Sequence, residues 1–213
     1  VIPSDARRCQ VCHDGKAAQP DKWLKPSRAD CGACHDDVNF ATGEKHVNLP
    51  QLSDNQCANC HTPQGELDFD ASILGAHMIP EDSQMLPGVN FELLRVDDGA
   101  AGKRPTVTFT ITDDKGNPVK PSEMSRLALV LGGPTSDYST FLSEDVRAAQ
   151  GSGSTFFWTF QSPLPADAKG SYSIFIEGYK NTKLLAGTTR EITAQDRGTN
   201  KSIYFSVDGS TVE

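Results

Sequence analysis

The sequence predicts a multidomain chain in which an irregular, mostly short-helical N-terminal domain precedes an all-β antiparallel domain, either a sandwich or a Greek-key barrel. Three observations predict this division. All six cysteines lie between residues 9 and 60, in a repeated five-residue pattern. Residues 1–62 contain only ten large apolar residues. From about residue 86, apolar and polar residues alternate between turn sequences. We therefore expect domains at residues 1–85 and 86–213.

The repeated pattern is Cys-x-x-Cys-His, the attachment sequence of c-type haem. Both thiols form thioethers with the porphyrin, and the histidine that follows binds the iron from one face. Three copies within 53 residues, with no cysteine left over, predict three covalent haem c groups. The thioether residues are Cys9, Cys12, Cys31, Cys34, Cys57 and Cys60, and the proximal iron ligands are His13, His35 and His61. We call these copies the first, second and third tags.

Other uses of cysteine pairs explain the pattern less well. Three disulfides would suit an exported chain but would not explain a histidine after every second cysteine. One pair with His46 or His77 could form a zinc site, but three pairs offer too many ligands for one zinc ion and an awkward set for two. A thioredoxin-type pair needs a strand–helix context, which is not visible near the tags.

The predicted haems also explain how residues 1–62 could fold. So few large apolar residues are typical of disorder, but three stacked porphyrins can serve as an apolar core. We expect a haem-packed domain whose folding depends on the cofactor. Residues 63–85 form a connector, in which Pro80 ends any helix.

The second domain is predicted from its period-two pattern. Val107, Phe109 and Ile111 alternate with threonines, as in a half-buried strand. We expect a short helix or a long loop at 138–150 and a flexible loop tip at 151–154. The seven candidate strands are Val89–Val96, Thr106–Thr112, Arg126–Leu131, Thr155–Phe160, Ser171–Tyr179, Thr188–Thr193 and Ser202–Val207.

The five histidines are one short of two axial ligands for each of three irons. His46 and His77 are the candidates for distal ligands. For His46 we favour the haem of the first tag, and His77 could serve either later haem. The remaining iron could bind a methionine, stay open, or take a histidine from another chain or from a segment outside this sequence, and we favour the last two sources. The methionine candidates are Met78, Met85 and Met124.

Composition excludes some partners and predicts a compartment. A net charge of −8 and a pI of about 5.1 argue against nucleic acid or an anionic membrane surface as partner. No run of 18 apolar residues is present, so we expect no transmembrane segment. Because haem is attached covalently outside the bacterial cytoplasm, we expect an exported protein whose signal was removed or lies outside this sequence.

Much of the chain resembles the OmcA/MtrC family of outer-surface decahaem cytochromes of metal-reducing bacteria. The resemblance weakens after residue 140. It is carried by the spacers around the tags and by the strand-rich text that follows. The matching segments are 31–43 with His46, 57–61, Leu74-Gly75-Ala76-His77, Leu86-Pro87-Gly88-Val89-Asn90-Phe91, Pro105–Pro118 and 131–138.

The resemblance has definite implications. Family members alternate pentahaem domains with β-barrel-like domains, and this chain looks like a three-haem segment followed by the β domain. His46 and His77 occupy positions of distal haem ligands. The resemblance implies a location at the bacterial cell surface or outside the cell, with the periplasm as the alternative. It also implies metal oxides, flavins or other multihaem cytochromes and redox proteins as electron acceptors and partners.

These observations favour electron transfer between haems over catalysis. The enzyme alternative is a multihaem reductase of a nitrogen or sulfur oxyanion with one open haem site, but no distal cluster of Lys, Tyr and His is visible for it. A third possibility is an interaction module in which the haems mainly stabilise the fold, although the predicted sandwich has no recognisable ligand motif. Self-assembly through a shared histidine would combine the first and third ideas.

Overall fold

The chain divides into two compact units, Val1–Gln84 and Met85–Glu213, in the computed structural model, which describes residues 5, 7, 8, 11 and 13–212. The described part of the first unit consists of short helices joined by irregular loops. Its α-helices are α1 (Arg28–Gly32), α2 (Cys57–Cys60) and α3 (Ile73–Ala76). Single 3-10 turns lie at Lys22–Leu24, Asp54–Gln56 and Pro80–Asp82.

The first unit buries very little apolar surface by itself. Among its described residues, Phe69 is the one buried apolar side chain, at 7% exposure. Larger apolar side chains stand in solvent instead, with Val47 87%, Leu52 74% and Leu67 74% exposed. Short helices of four or five residues are not stable alone, because helix formation needs either length or packing. The described part of this unit therefore has no apolar core of its own.

The second unit consists of two antiparallel sheets. The first sheet has the strand order β1-β2-β6-β5, and the second has the order β4-β3-β7-β8, with β9 also paired to β7. Every recorded pairing between named strands is antiparallel. The strands are β1 (Asn90–Asp97), β2 (Thr106–Thr112), β3 (Arg126–Gly133), β4 (Thr140–Asp145), β5 (Gln150–Ser152), β6 (Thr155–Thr159), β7 (Ser171–Leu184), β8 (Ile192–Arg197) and β9 (Lys201–Ser206).

The core of the second unit lies between the two sheets. Val107 and Phe109 of β2 are fully buried, and they share one apolar cluster with Leu129 of β3 and Ile174 of β7. The alternating threonines of β2 are half-buried, as the period-two pattern requires. The prediction of an all-β antiparallel domain built from two sheets is therefore confirmed.

Three segments of the second unit differ from the sequence prediction. The predicted helix or loop at 138–150 contains β4, an edge strand, and the predicted loop tip at 151–154 contains part of β5. In β4, Thr140, Leu142 and Glu144 are half-buried while the residues between them are exposed. One apolar residue on the inner face is too weak a signal to separate an edge strand from a loop. The strand predicted at 188–193 begins only at Ile192.

None of the helices in the described part of the chain has the length and apolar character that crossing a bilayer requires.

Candidate haem-binding site

The structure places four of the six predicted thioether cysteines. Cys31 lies in α1 with Cys34 just beyond it, while Cys57 and Cys60 are the first and last residues of α2. All four thiols are free of disulfides, and only Cys57 is even half-buried. Their sulfurs are thus open to reaction. Cys9 and Cys12 of the first tag lie outside the described residues, whereas all five histidines lie within them.

The second and third tags are held beside one another. Arg28, which opens α1, donates to Oδ1 of Asp54 from both Nε (2.8 Å) and its backbone N–H (3.1 Å). Asp54 opens the 3-10 turn that leads into α2, and the hydrogen bonds from Arg28 lower the pKa of its carboxyl. Cys31 is exposed as a residue, yet local desolvation of its thiol, followed by the nearby Cys57, raises the pKa of that thiol. Haems attached to these tags would therefore be neighbours.

Four of the five histidines form two pairs. The ring centroids of His35 and His77 are 6.1 Å apart, and those of His46 and His61 are also 6.1 Å apart. With metal–imidazole bonds of about 2 Å and ring centres about 1 Å behind the nitrogen, two imidazoles on opposite sides of one metal ion have centroids about 6 Å apart. The spacing of both pairs therefore fits an iron shared between two histidines. We expected His46 to face the first tag, whereas the structure places it beside the histidine of the third.

Hydrogen bonds from the rings leave the outer nitrogens free for metal. The Nδ1 atom bonds a backbone carbonyl in His13 (Gln19 O, 2.8 Å), His46 (Leu49 O, 3.0 Å), His61 (Ala71 O, 3.3 Å) and His77 (Ile73 O, 2.7 Å). A carbonyl oxygen can only accept, so Nδ1 carries the proton and the lone pair lies on Nε2. This is the arrangement usual for metal-binding histidines, because the Nδ1 bond fixes the tautomer and the ring direction.

A tightly wound loop presents His46. Within it Lys45, Val47 and Asn48 adopt left-handed backbone conformations, with φ between 46° and 57°. Gly43 has φ 81°, and a Cβ on it would lie 2.5 Å from the Leu49 nitrogen, so this position requires glycine. Runs of left-handed non-glycine residues are uncommon and concentrate at functional sites.

His77 is placed by the buried N-terminus of α3. Ser72 caps that helix, accepting from the Gly75 N–H at 3.0 Å and donating to Asp70 Oδ1. The Ser72 hydroxyl and backbone N–H lower the pKa of the Asp70 carboxyl. His77 follows the last residue of α3, so the capping network fixes the direction from which its ring leaves the helix.

The residues next to the first tag reach the segment after His77. Arg8 forms an ion pair with Asp82 at 2.6 Å, and Arg7 Nη1 lies 3.5 Å from the carbonyl oxygen of Met78. Of the three methionine candidates, Met124 is buried in the core of the second unit, where it acts as a packing residue.

The residues present fit haem. Among the described residues, no group of three or more His, Cys, Asp or Glu side chains is arranged to hold a metal ion. Two pairs of imidazole rings are present instead. Exposed thiols next to one member of each pair supply the attachment points. Sequence reasoning missed the carbonyl partners of the rings and Phe40, whose ring lies 5.5 Å from that of His46. Neither depends on a residue type that marks haem binding, so no sequence signal pointed to them.

Comparison with known proteins finds a multihaem cytochrome that is similar over part of the chain. No family model matches the chain. Over 56 residues, which are 25% of this chain and 8% of the relative, the sequence is 43% identical to the multihaem cytochrome MtrC of Shewanella baltica (strain OS185).

Two solved structures resemble the chain along 97% of its length. The crystal structure of MtrC from Shewanella baltica OS185 superposes with a TM-score of 0.60 at 18% identity, and 37% of it is covered. That of the outer membrane decahaem cytochrome OmcA gives a TM-score of 0.53 at 17% identity, with 34% covered. At these identities the structural likeness establishes the fold. The chain spans about a third of each solved structure, and the predicted resemblance to these multihaem cytochromes is confirmed.

Proposed function

We propose that the first unit binds three haem c groups and carries electrons between them, as a segment of a multihaem cytochrome. The observation that carries this proposal is the presence of two histidine pairs. In each pair the ring centroids are 6.1 Å apart, and one member is the histidine of a tag. The scarcity of buried apolar side chains in the same unit supports it, because three porphyrins would supply the missing core. Similarity to MtrC and OmcA supports it independently.

The pairs suggest a ligand set for two of the irons. The haem on Cys31 and Cys34 would take His35 and His77, and the haem on Cys57 and Cys60 would take His61 and His46. Haem supplies one-electron redox chemistry at iron, with a potential that depends on axial ligands, burial and hydrogen bonding. The chain would supply both protein ligands of each of these two irons, and the Nδ1 bonds of His46, His61 and His77 would fix the directions of those rings.

The first tag differs from the other two. Cys9, Cys12 and His13 would hold its haem, but the four remaining histidines are already paired with one another. We propose that its sixth ligand is a histidine from another chain or from a segment outside residues 1–213. An open iron at this position would instead favour the second candidate function, reduction of a nitrogen or sulfur oxyanion.

The wider role follows from the relatives. OmcA is an outer membrane decahaem cytochrome, so we propose that this protein is exported and works at the cell surface, with the periplasm as the alternative. Metal oxides, flavins and other multihaem cytochromes would be its electron acceptors. The β unit would act as a spacer or docking surface.

Mass and spectrum together test the proposal. Protein from a host that matures c-type cytochromes should carry three covalent haems by intact mass and should have at least two low-spin ferric irons. If one iron is high-spin, changes its spectrum when nitrite is added and reduces nitrite catalytically, the result would support the reductase instead. An apoprotein from such a host would overturn both functions.

A further inference from the structure

Phe40 lies between the second tag and the distal histidine of the third. Its half-buried ring meets that of His46 edge-on, with a centroid distance of 5.5 Å and an interplanar angle of 63°. On another side, a methyl group built on Gly32 would lie 3.6 Å from Phe40 Cε2. Gly32 is one of the two residues between Cys31 and Cys34, so the ring lies near the attachment segment of the second tag and in contact with the proposed ligand of the third haem.

Backbone hydrogen bonds hold the loop that carries Phe40. The carbonyl oxygen of Phe40 accepts from the Gln51 N–H at 2.7 Å, which closes the loop that carries His46. Gln51 is itself buried and donates from Nε2 to the Ser53 carbonyl oxygen. Next to Phe40, the Asn39 N–H donates to the Glu44 oxygen at 3.1 Å. Phe40 and His46 therefore belong to one closed loop, in which the two rings are in edge-to-face contact.

We propose that Phe40 is a positioning residue that sets the plane of the His46 imidazole and thereby the electronic state of the third haem. The inference rests on the proposed function, in which His46 binds that iron. Aromatic rings favour the edge-to-face arrangement seen here, because the positive edge of one ring meets the negative face of the other. The Leu49 carbonyl fixes the imidazole at Nδ1, and Phe40 restricts its rotation about that bond.

Electron paramagnetic resonance of the intact ferric protein tests this role. Phe40→Leu, which keeps apolar volume without a ring, should shift the low-spin signal of one haem and the midpoint potential of the same haem. The other two haems should be unchanged. Phe40→Tyr should keep the spectrum of the parent protein, since the tyrosine ring makes the same edge contact.

A control variant separates loss of the Phe40 ring from general disturbance. Phe141→Leu removes a 69%-exposed ring from the second unit and should leave all haem signals in place. If Phe40→Leu loses its cofactors, Phe40→Met fills the same space and carries the same expectation.

The outcome can be distinguished from failure of the proposed function. If His46→Ala leaves every haem low-spin, His46 is not a ligand and the ligand assignment itself falls. If His46→Ala turns one haem high-spin, the assignment of His46 as a ligand stands. If Phe40→Leu and Phe40→Met then match the parent protein in both signals and potentials, only the role of Phe40 is overturned.

Discussion

His77 leaves the end of α3 with its Nδ1 proton on the Ile73 carbonyl and its ring beside that of His35. Forty-two positions separate the two histidines in the sequence (77 − 35). Chain length alone permits His77 to reach any of the three haems, since extended residues span roughly 3.3–3.6 Å each. The structure places its ring beside that of His35 in the second tag, and the proposed ligand assignment can be tested residue by residue.

His77→Ala should turn one of the three haems from low-spin to high-spin, because the iron of the second tag loses its distal ligand. The change should vanish in a Cys31→Ala/Cys34→Ala background, which lacks that haem. It should persist in a Cys57→Ala/Cys60→Ala background. Optical and magnetic resonance spectra of the ferric proteins measure all three cases.

His46→Ala is the matched control, since it should give the reverse dependence on the two backgrounds. If the high-spin signal of His77→Ala survives loss of the second tag and disappears with the third, the pairing of His77 with His35 is contradicted.

At this scale the sequence predicted the candidate ligands but could not pair them. Cys-x-x-Cys-His is a local pattern, so attachment residues and proximal histidines can be named from spacing alone. The neighbour of His46 depends on a loop in which Lys45, Val47 and Asn48 are left-handed. Apart from glycine and asparagine, residue types do not indicate left-handed backbone conformations, so the direction of the loop could not be predicted.

Among the elements, α3 begins beside a close-packed cup, formed around the Asp70 carboxylate by Gly65, Ser72 and Gly75. A Cβ on Gly65 would lie within 1.6 Å of Asp70 Oδ2, and one on Gly75 within 2.1 Å of Oδ1. The same carboxylate accepts from the Ser72 N–H at 2.9 Å and from the Leu67 N–H at 3.2 Å. Both glycines are therefore needed for contact with the carboxylate, and neither has a positive φ.

Gly75→Ala should destabilise the first unit by about 1–3 kcal/mol, because the added methyl overlaps Asp70 and displaces the cap of α3. The sign is opposite to that expected from helix propensity, by which alanine gains about 1 kcal/mol over glycine. Denaturant unfolding followed by the haem absorption band measures the free energy of unfolding.

Gly15→Ala provides the comparison, since nothing lies within 4 Å of its added methyl and its stability should stay close to that of the parent. A Gly75→Ala protein at least as stable as the parent would show that the cup is not close-packed.

Prediction of the strands succeeded where the inner face is strongly apolar. β2 and β3 could be recognised because Val107, Phe109 and Leu129 are fully buried. β4 was not predicted, because the most apolar side chain of this edge strand, Phe141, points to solvent and is 69% exposed. β5 is a Gln-Gly-Ser strand that depends on its register with β6 rather than on its own residues.

For the whole molecule, the described structure suggests two units with different sources of stability. The apolar cluster of the chain draws its members from Val89 to Val207, so the second unit has a protein core. In the first unit, recorded ion pairs such as Arg8–Asp82 and Arg28–Asp54 are largely exposed. Exposed pairs contribute at most about 1 kcal/mol each, too little to fold a unit without a core.

Replacing all six cysteines by alanine should therefore separate the two units. Without attached haem, residues 1–84 should become sensitive to proteases, while the β unit should keep its circular dichroism and a cooperative melt. Limited proteolysis with mass analysis should give a resistant fragment that begins near residue 85.

Protein that carries its haems provides the reference digestion, in which both units should resist. Simultaneous loss of both units in the cysteine-free protein would contradict independent stability, and an intact first unit would contradict its dependence on haem.

β9 is the last strand of the second unit, yet it contacts β1, the first strand of that unit. It pairs with β7 and lies beside β1, and the Ala101 N–H donates to the Val207 oxygen just beyond it. During synthesis, the margins of β1 and β7 thus stay uncovered until residues 201–207 have left the ribosome. A nascent chain that lacks β9 would expose these unpaired strand edges, which promote aggregation or chaperone binding, so the β unit is protected only once β9 has paired.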